Sequence, residues 1–138
     1  MIVSAALLLF IDALYLTLIG GPQFSKTVLQ IQHSPMKINM VGAVGSYILL
    51  IFLLQVFILQ PRHSPFKAFL LGFAVYGVFD LTNYALFSDY DLLTGIIDMF
   101  WGGILFYMVT TLTYHFEKKK RGTPVSYTHL TLPTILLV

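Results

Sequence analysis

The chain has 138 residues, 57% of them hydrophobic and 10% charged, with a net charge of +2 and no cysteine; its mean hydropathy is +0.83. A soluble domain carries about 25% charged residues, and one of this size has too small a core to hide so much apolar surface. The solvent is therefore lipid. The missing cysteines exclude a disulfide framework and a thiolate metal site, and no basic residue interleaves with the aromatics as a nucleic-acid surface requires.

Four segments are long and apolar enough to cross about 30 Å of hydrocarbon: residues 2–20, 39–60, 67–88 and 92–116. They predict an all-α membrane protein, an antiparallel bundle of four transmembrane helices within residues 1–117. The first segment lacks a basic start and an A-x-A site, and Asp12 interrupts its apolar run. It reads as a retained helix, not a cleaved signal.

The first connection opens on a Gly-Pro breaker. It then sets Phe24, Val28 and Ile31 on one helical face before Pro35, as in a short amphipathic helix lying in the interface. The second connection, "QPRHSPFK", is a tight basic turn, and the third, "SDYD", a tight acidic one.

With four spans, the N-terminus, the 61–67 turn and the end of the last helix share one side. That side holds Arg62, Lys67 and Lys118–Arg121; the other holds Lys26 and Lys37. Six basic residues against two predict that both termini are cytoplasmic, with residues 118–123 a basic cytoplasmic end. The last stretch, "VSYTHLTLPTILLV", is too short to span. It resembles the translated read-through of a sequencing adapter. Residues 124–138 are therefore expected to be non-native and carry no functional argument.

Three of the six acids, Asp12, Asp80 and Asp98, fall inside predicted spans, and no span contains Lys or Arg beyond Lys67 at the very start of the third. Each costs at least ~2.5 kcal/mol at mid-membrane, so three by chance are improbable. Helical rise places Asp12 ~15 Å above the cytoplasmic edge and Asp80 and Asp98 both ~20 Å above it.

On span three, Gly72, Tyr76, Asp80, Asn83 and Tyr84 form one stripe; on span four, Thr94, Gly95, Asp98, Trp101 and Gly102 do the same. Tyr15 lies one turn from Asp12. Tyr and Trp supply donors that reach a carboxyl group. Gly42, Gly45 and Ser46 on span two, with Gly72, Gly95, Gly102 and Gly103, are expected to let helices approach closely. His33, His63 and His115 have no metal-ligand spacing, and no metal or cofactor is expected. Gln55 is a minor candidate for the polar cluster.

Two carboxylates close together in low dielectric cannot both ionise cheaply. The acids are then protonated hydrogen-bond donors, or share an exchangeable proton, or bind a cation. The plainest alternative is glue, in which each bond stabilises the bundle by ~0.6–2 kcal/mol.

At these residues the sequence resembles a known family. "YGVFDLTN" (Tyr76–Asn83) and "DMFWG" (Asp98–Gly102), preceded by "DALYL" (Asp12–Leu16), resemble the small membrane proteins catalogued as domain of unknown function 2177. Many members carry Trp where this chain has Tyr15. The resemblance covers roughly residues 1–117. It implies a four-helix membrane protein and no particular activity, with signature residues at Asp12, Asp80, Thr82, Asn83, Asp98, Trp101 and Gly102.

Three functions fit these observations. The first is a lipid-embedded protein whose carboxyl cluster binds or transports a proton, a cation or a cationic small molecule, as a homo-oligomer because so thin a bundle holds no wide pore. The second is a lipid-modifying enzyme or accessory factor using carboxyl groups as acid and base. No Ser/His, Cys/His or HxxxH arrangement supports it. The third is a structural or assembly subunit whose acids only specify helix pairing.

Overall fold

The computed structural model describes residues 1–120. Residues 121–138, and with them half of the basic end and the whole atypical tail, lie outside the described residues. The described residues contain only helices and turns: α1 (Ile2–Tyr15), a π-helical turn (Leu16–Gly20), α2 (Gly21–Gln32), α3 (Met40–Leu54) continued by a π-helical turn (Gln55–Leu59), α4 (Pro65–Leu86) and α5 (Leu92–Lys120). They make four apolar helices of spanning length: Ile2–Gln32, Met40–Leu59, Pro65–Leu86 and Leu92–Lys119.

Helix starts follow from short polar side chains. The Asn39 carbonyl side chain accepts from the Val41 and Gly42 N–H groups at 3.0 and 3.2 Å. The Ser64 hydroxyl accepts from Lys67 N–H at 3.3 Å, with Pro65 in the first turn where its missing N–H costs nothing. The Asp91 carboxylate accepts from Thr94 N–H at 3.2 Å. At the other end, His33 closes α2 in the left-handed region at φ 58°.

The Gly-Pro breaker does not break the chain direction. Pro22 sits in the first turn of α2 immediately after the π-helical turn, where an N–H is dispensable, so helix runs from Ile2 to Gln32. The Tyr15 ring folds over Gly20, filling the volume a side chain would need.

Asp12 touches Trp101, and Thr27 touches Thr94. Fifteen residues of helix rise about 22 Å between the first pair's α1 member and the second's α2 member; the seven residues on α5 rise only about 10 Å. The π-helical turn lies within the longer path. α2 therefore leans across the outer end of α4 and α5, its Phe24 ring 6.5 Å from that of Phe79. Its partly buried face carries the expected Phe24, Val28 and Ile31, with Thr27 fully buried.

The core is organised around α5. Leu105, Phe106 and Val109 are buried against Leu8 of α1, Leu54 of α3, Ile58 and Leu59 of the second π-helical turn, and Ala68 of α4. α4 and α5 pack along most of their length, backbone against backbone where Gly72 meets Gly102. Gly103 receives the Phe69 ring.

The expectation for span two is corrected. Gly42 and Gly45 face open space, and Ser46 is exposed, its hydroxyl bonded back to the Gly42 carbonyl. The reason is Tyr47, whose long side chain bridges from α3 to Asp12 on α1 and holds the outer half of α3 at arm's length.

At the end of the bundle that carries the N-terminus, Arg62 pairs with Glu117 at 2.9 Å and lies 4.6 Å from the centre of the Tyr114 ring. The Tyr114 hydroxyl donates to the His63 carbonyl at 2.7 Å.

Candidate functional site

The structure brings the three intramembrane acids into one half of the bundle as two neighbouring groups. The upper group is Asp80 and Asp98. α4 and α5 are antiparallel across a short turn, and Gly95 leaves room for Asp80, whose Cβ would lie 3.4 Å from a methyl added there. Asp80 is 1% exposed and Asp98 6%. Their carboxyl groups lie within hydrogen-bonding reach of each other. Oδ1 of Asp80 accepts from the Tyr90 hydroxyl at 2.6 Å. Oδ2 of Asp80 is buried and receives no N–H or O–H from any other side chain or backbone group among the described residues.

The lower group is built on Asp12. Its Oδ1 accepts from the Trp101 indole N–H at 2.8 Å, and its Oδ2 accepts from the Tyr47 hydroxyl. The Tyr15 ring stacks on Trp101 at 4.4 Å with the planes 5° apart. Trp101 follows Asp98 by three residues, one helical turn toward the end that carries the N-terminus, so Asp12 sits a few ångströms from the upper pair along the bundle. Tyr15 is within electrostatic range of all three acids, and Tyr76 of Asp12 and Asp98. The two groups are thus electrostatically one site with different hydrogen-bond completeness. Asp12 has a donor on each oxygen; Asp80 does not.

Gly102 serves by being small, for the Tyr76 ring lies where its side chain would be. Asn83 is half-buried and its side chain meets Tyr90 instead of either acid. Thr82 is exposed on the opposite side of α4, and Tyr84 is exposed near its end; neither joins the site. Gln55 lies away from the acids, near the α3–α4 turn, where its Oε1 is buried without a partner among the described residues.

Tyr47 and Tyr90 are the two donors that reading the acids alone did not find. Depth was the available signal for Tyr47: seven residues into α3 it lies ~10 Å from the outer edge, within a few ångströms of Trp101. For Tyr90 the signal was a tyrosine in a turn too short to let its ring reach far from the α4–α5 junction.

A rim of polar contacts closes the outer end. Thr94 is buried, and its single hydroxyl proton is placed between Asp91 Oδ2 at 2.6 Å and Gln23 Oε1 at 2.9 Å. The Thr94 hydroxyl, helped by N–H groups at the start of α5, holds the Asp91 carboxyl below the usual carboxylate range. Asp91 stands outside the span and is therefore an ordinary charged cap.

Chemically, the site offers carboxyl oxygens and phenol and indole donors, and no cationic group. Among the described residues no three His, Cys, Asp or Glu side chains converge as a metal-ligand set. No nucleophile with a neighbouring base is present in it.

No curated protein and no solved structure matches the chain. A family model does, over residues 1–115. With four apolar helices of spanning length, the protein is an integral, multi-pass membrane protein, and it belongs to the family described as "Predicted membrane protein (DUF2177)".

Proposed function

We propose that Asp80 and Asp98 form a proton-binding site whose proton exchanges with a small monovalent or organic cation, and that the protein moves such an ion across its membrane. The carrying observation is Asp80: a buried carboxyl with one donorless oxygen, within reach of a second buried carboxyl. Two acceptors attract only when a proton or another positive charge lies between them, and an intramembrane carboxyl pair without one is expensive. The Lys and Arg residues lie only in the connections or at helix ends, none beside the pair, which leaves that charge to come from outside the chain. A proton or a monovalent cation suits a two-carboxyl site; a divalent ion wants more oxygen ligands. The orientation that fits the basic residues puts both termini in the cytoplasm. A single thin bundle gives an ion little shelter on both sides of the site, so transport calls for a second copy.

Asp12 favours a second, structural reading for its own group. Its two oxygens each have a donor, so it ties α1, α3 and α5 together and needs no ligand. The site therefore divides into a binding pair and a fastening acid.

The test is ion flux in proteoliposomes under an imposed pH or cation gradient. Asp80→Asn and Asp98→Asn are expected to abolish flux, and Asp12→Asn to weaken folding more than flux. Unchanged flux and unchanged cation affinity in both of the first two variants would sink the proposal.

A further inference from the structure

The two ends of the site are closed by different means, and the difference assigns a direction of access. Toward the cytoplasm, beneath the Asp12–Trp101 group, lies a layer of Leu8, Leu54, Leu105, Phe106 and Val109, each no more than 1% exposed. The buried polar atoms beside that layer, Gln55 Oε1 and the Thr110 and Thr113 hydroxyls, have no hydrogen-bond partner among the described residues and so form no hydrogen-bonded chain to the site. Toward the other face the side chain bonded to the pair is Tyr90, with the Thr94–Gln23–Asp91 rim and Thr27 of α2 beside it. Tyr90 belongs to the α4–α5 turn, whose neighbours Phe87, Ser88 and Asp89 are exposed. The Tyr90 ring is 6% exposed and flanks Gly95. Its hydroxyl donates to Asp80, and the Asn83 side chain meets it.

A phenol in this position is both a cover and a hydrogen-bonded step, since its hydroxyl donates and accepts. The turn that carries it is held by the Tyr90 N–H to Phe87 carbonyl bond at 3.1 Å and by the Asp91–Thr94 cap. Short surface turns open at far lower free energy than packed helices.

We infer that Tyr90 is the gate of the carboxyl pair, and that protons enter and leave on the side of the α4–α5 turn and not through the cytoplasmic half of the bundle. This rests on the proton-site reading of Asp80 and Asp98. The ionisable groups around the gate are Asp80 and Tyr76 from α4, Asp98 from α5, and Asp12 and Tyr15 from α1, with Asp91 and Lys26 at the outer rim. None of the inner ones is basic, so nothing competes with the proton for the pair.

The experiment is hydrogen–deuterium exchange of the protonated-carboxyl C=O band, followed by infrared spectroscopy of the protein in nanodiscs after a switch to D2O. Tyr90→Phe keeps the ring and removes the hydroxyl. It is expected to accelerate exchange about tenfold, the factor expected for one lost hydrogen bond to a carboxyl group. Tyr90→Ala removes the cover and is expected to accelerate it further. Phe106→Ala thins the cytoplasmic layer and is expected to leave the rate unchanged. Fluorescence of Trp101, the chain's single tryptophan, reports that each variant keeps its fold; if Tyr90→Ala does not fold, Tyr90→Phe decides alone. A present band with a rate indifferent to Tyr90, or one accelerated only by Phe106→Ala, overturns the gate and leaves the proton site standing. A band absent at every pH overturns the proton site and the gate together.

Discussion

Replacing Gly72 by alanine places a methyl group against the backbone of α5. Its carbon would lie 2.8 Å from the Gly102 carbonyl carbon and 3.0 Å from Phe106 Cγ, with the Gly102 carbonyl oxygen nearer still. Carbon–carbon contacts settle at about 3.5–4.0 Å, so α4 and α5 must separate by about 0.7 Å or more. A carbonyl cannot rotate away as a side chain does. Overpacking costs typically ~1–3 kcal/mol, and a backbone obstacle puts Gly72→Ala at the upper end. The contrast is Gly77→Ala, whose methyl meets Met99 Cε at 3.2 Å, the far end of a flexible side chain. Gly42→Ala and Gly45→Ala meet nothing and gain helix propensity of up to ~1 kcal/mol. Reversible unfolding in mixed micelles with increasing SDS reads all four. The expected order of stability is Gly42→Ala and Gly45→Ala at or above the parent, Gly77→Ala slightly below it, Gly72→Ala well below. Equal loss at Gly72 and Gly42 would refute the packing described for α4 and α5.

Trp101→Phe keeps a ring on Tyr15 but strips Asp12 Oδ1 of its donor, and is expected to cost ~1–3 kcal/mol in the same titration. Asp91→Ala removes the cap of α5 and is expected to cost ~1 kcal/mol. Because the Asp91 carboxyl is held below its ordinary range in the folded protein, its contribution is present at neutral pH and fades as the pH falls through and below that range; the Asp91→Ala variant should lose that part of the acid dependence. Glu117→Gln breaks an ion pair whose partners are 36% and 43% exposed, so less than about 1 kcal/mol is expected, detectable only at low salt. Reporter fusions after residue 120 are expected to report from the cytoplasm; an extracytoplasmic signal would invert the orientation.

The spans were legible because hydropathy over twenty residues is a strong signal, and the levels of the acids because helical rise converts residue number into depth. Asp80 lies beside Asp98, and Asp12 meets Trp101 one helical turn along α5 from Asp98. The lean of α2 was not legible. Gly20, Gly21 and Pro22 read as a break, and only the structure shows the π-helical turn that lets helix continue beneath the proline. Thr82 came from the family resemblance and not from spacing: two residues from Asp80, it lies on the far side of a helix. Tyr84 has the right spacing but sits near the end of α4, where no neighbouring helix covers it. Gly42 and Gly45 failed for the converse reason, since small residues permit close approach but do not compel it, and Tyr47 decides the distance. Tyr47 and Tyr90 escaped because depth was worked out for acids and not for their donors.

The central claim is that Asp80 and Asp98 hold an exchangeable proton between them. An infrared titration of the protein in nanodiscs tests it most directly, following the protonated-carboxyl C=O band from acid to alkaline pH, with and without Na⁺ and polyamines. The account predicts a band that persists above the ordinary carboxylate range, disappears in Asp80→Asn and Asp98→Asn, and shifts when a cation displaces the proton. A band that is absent throughout, or that survives both substitutions and ignores every cation, would contradict it.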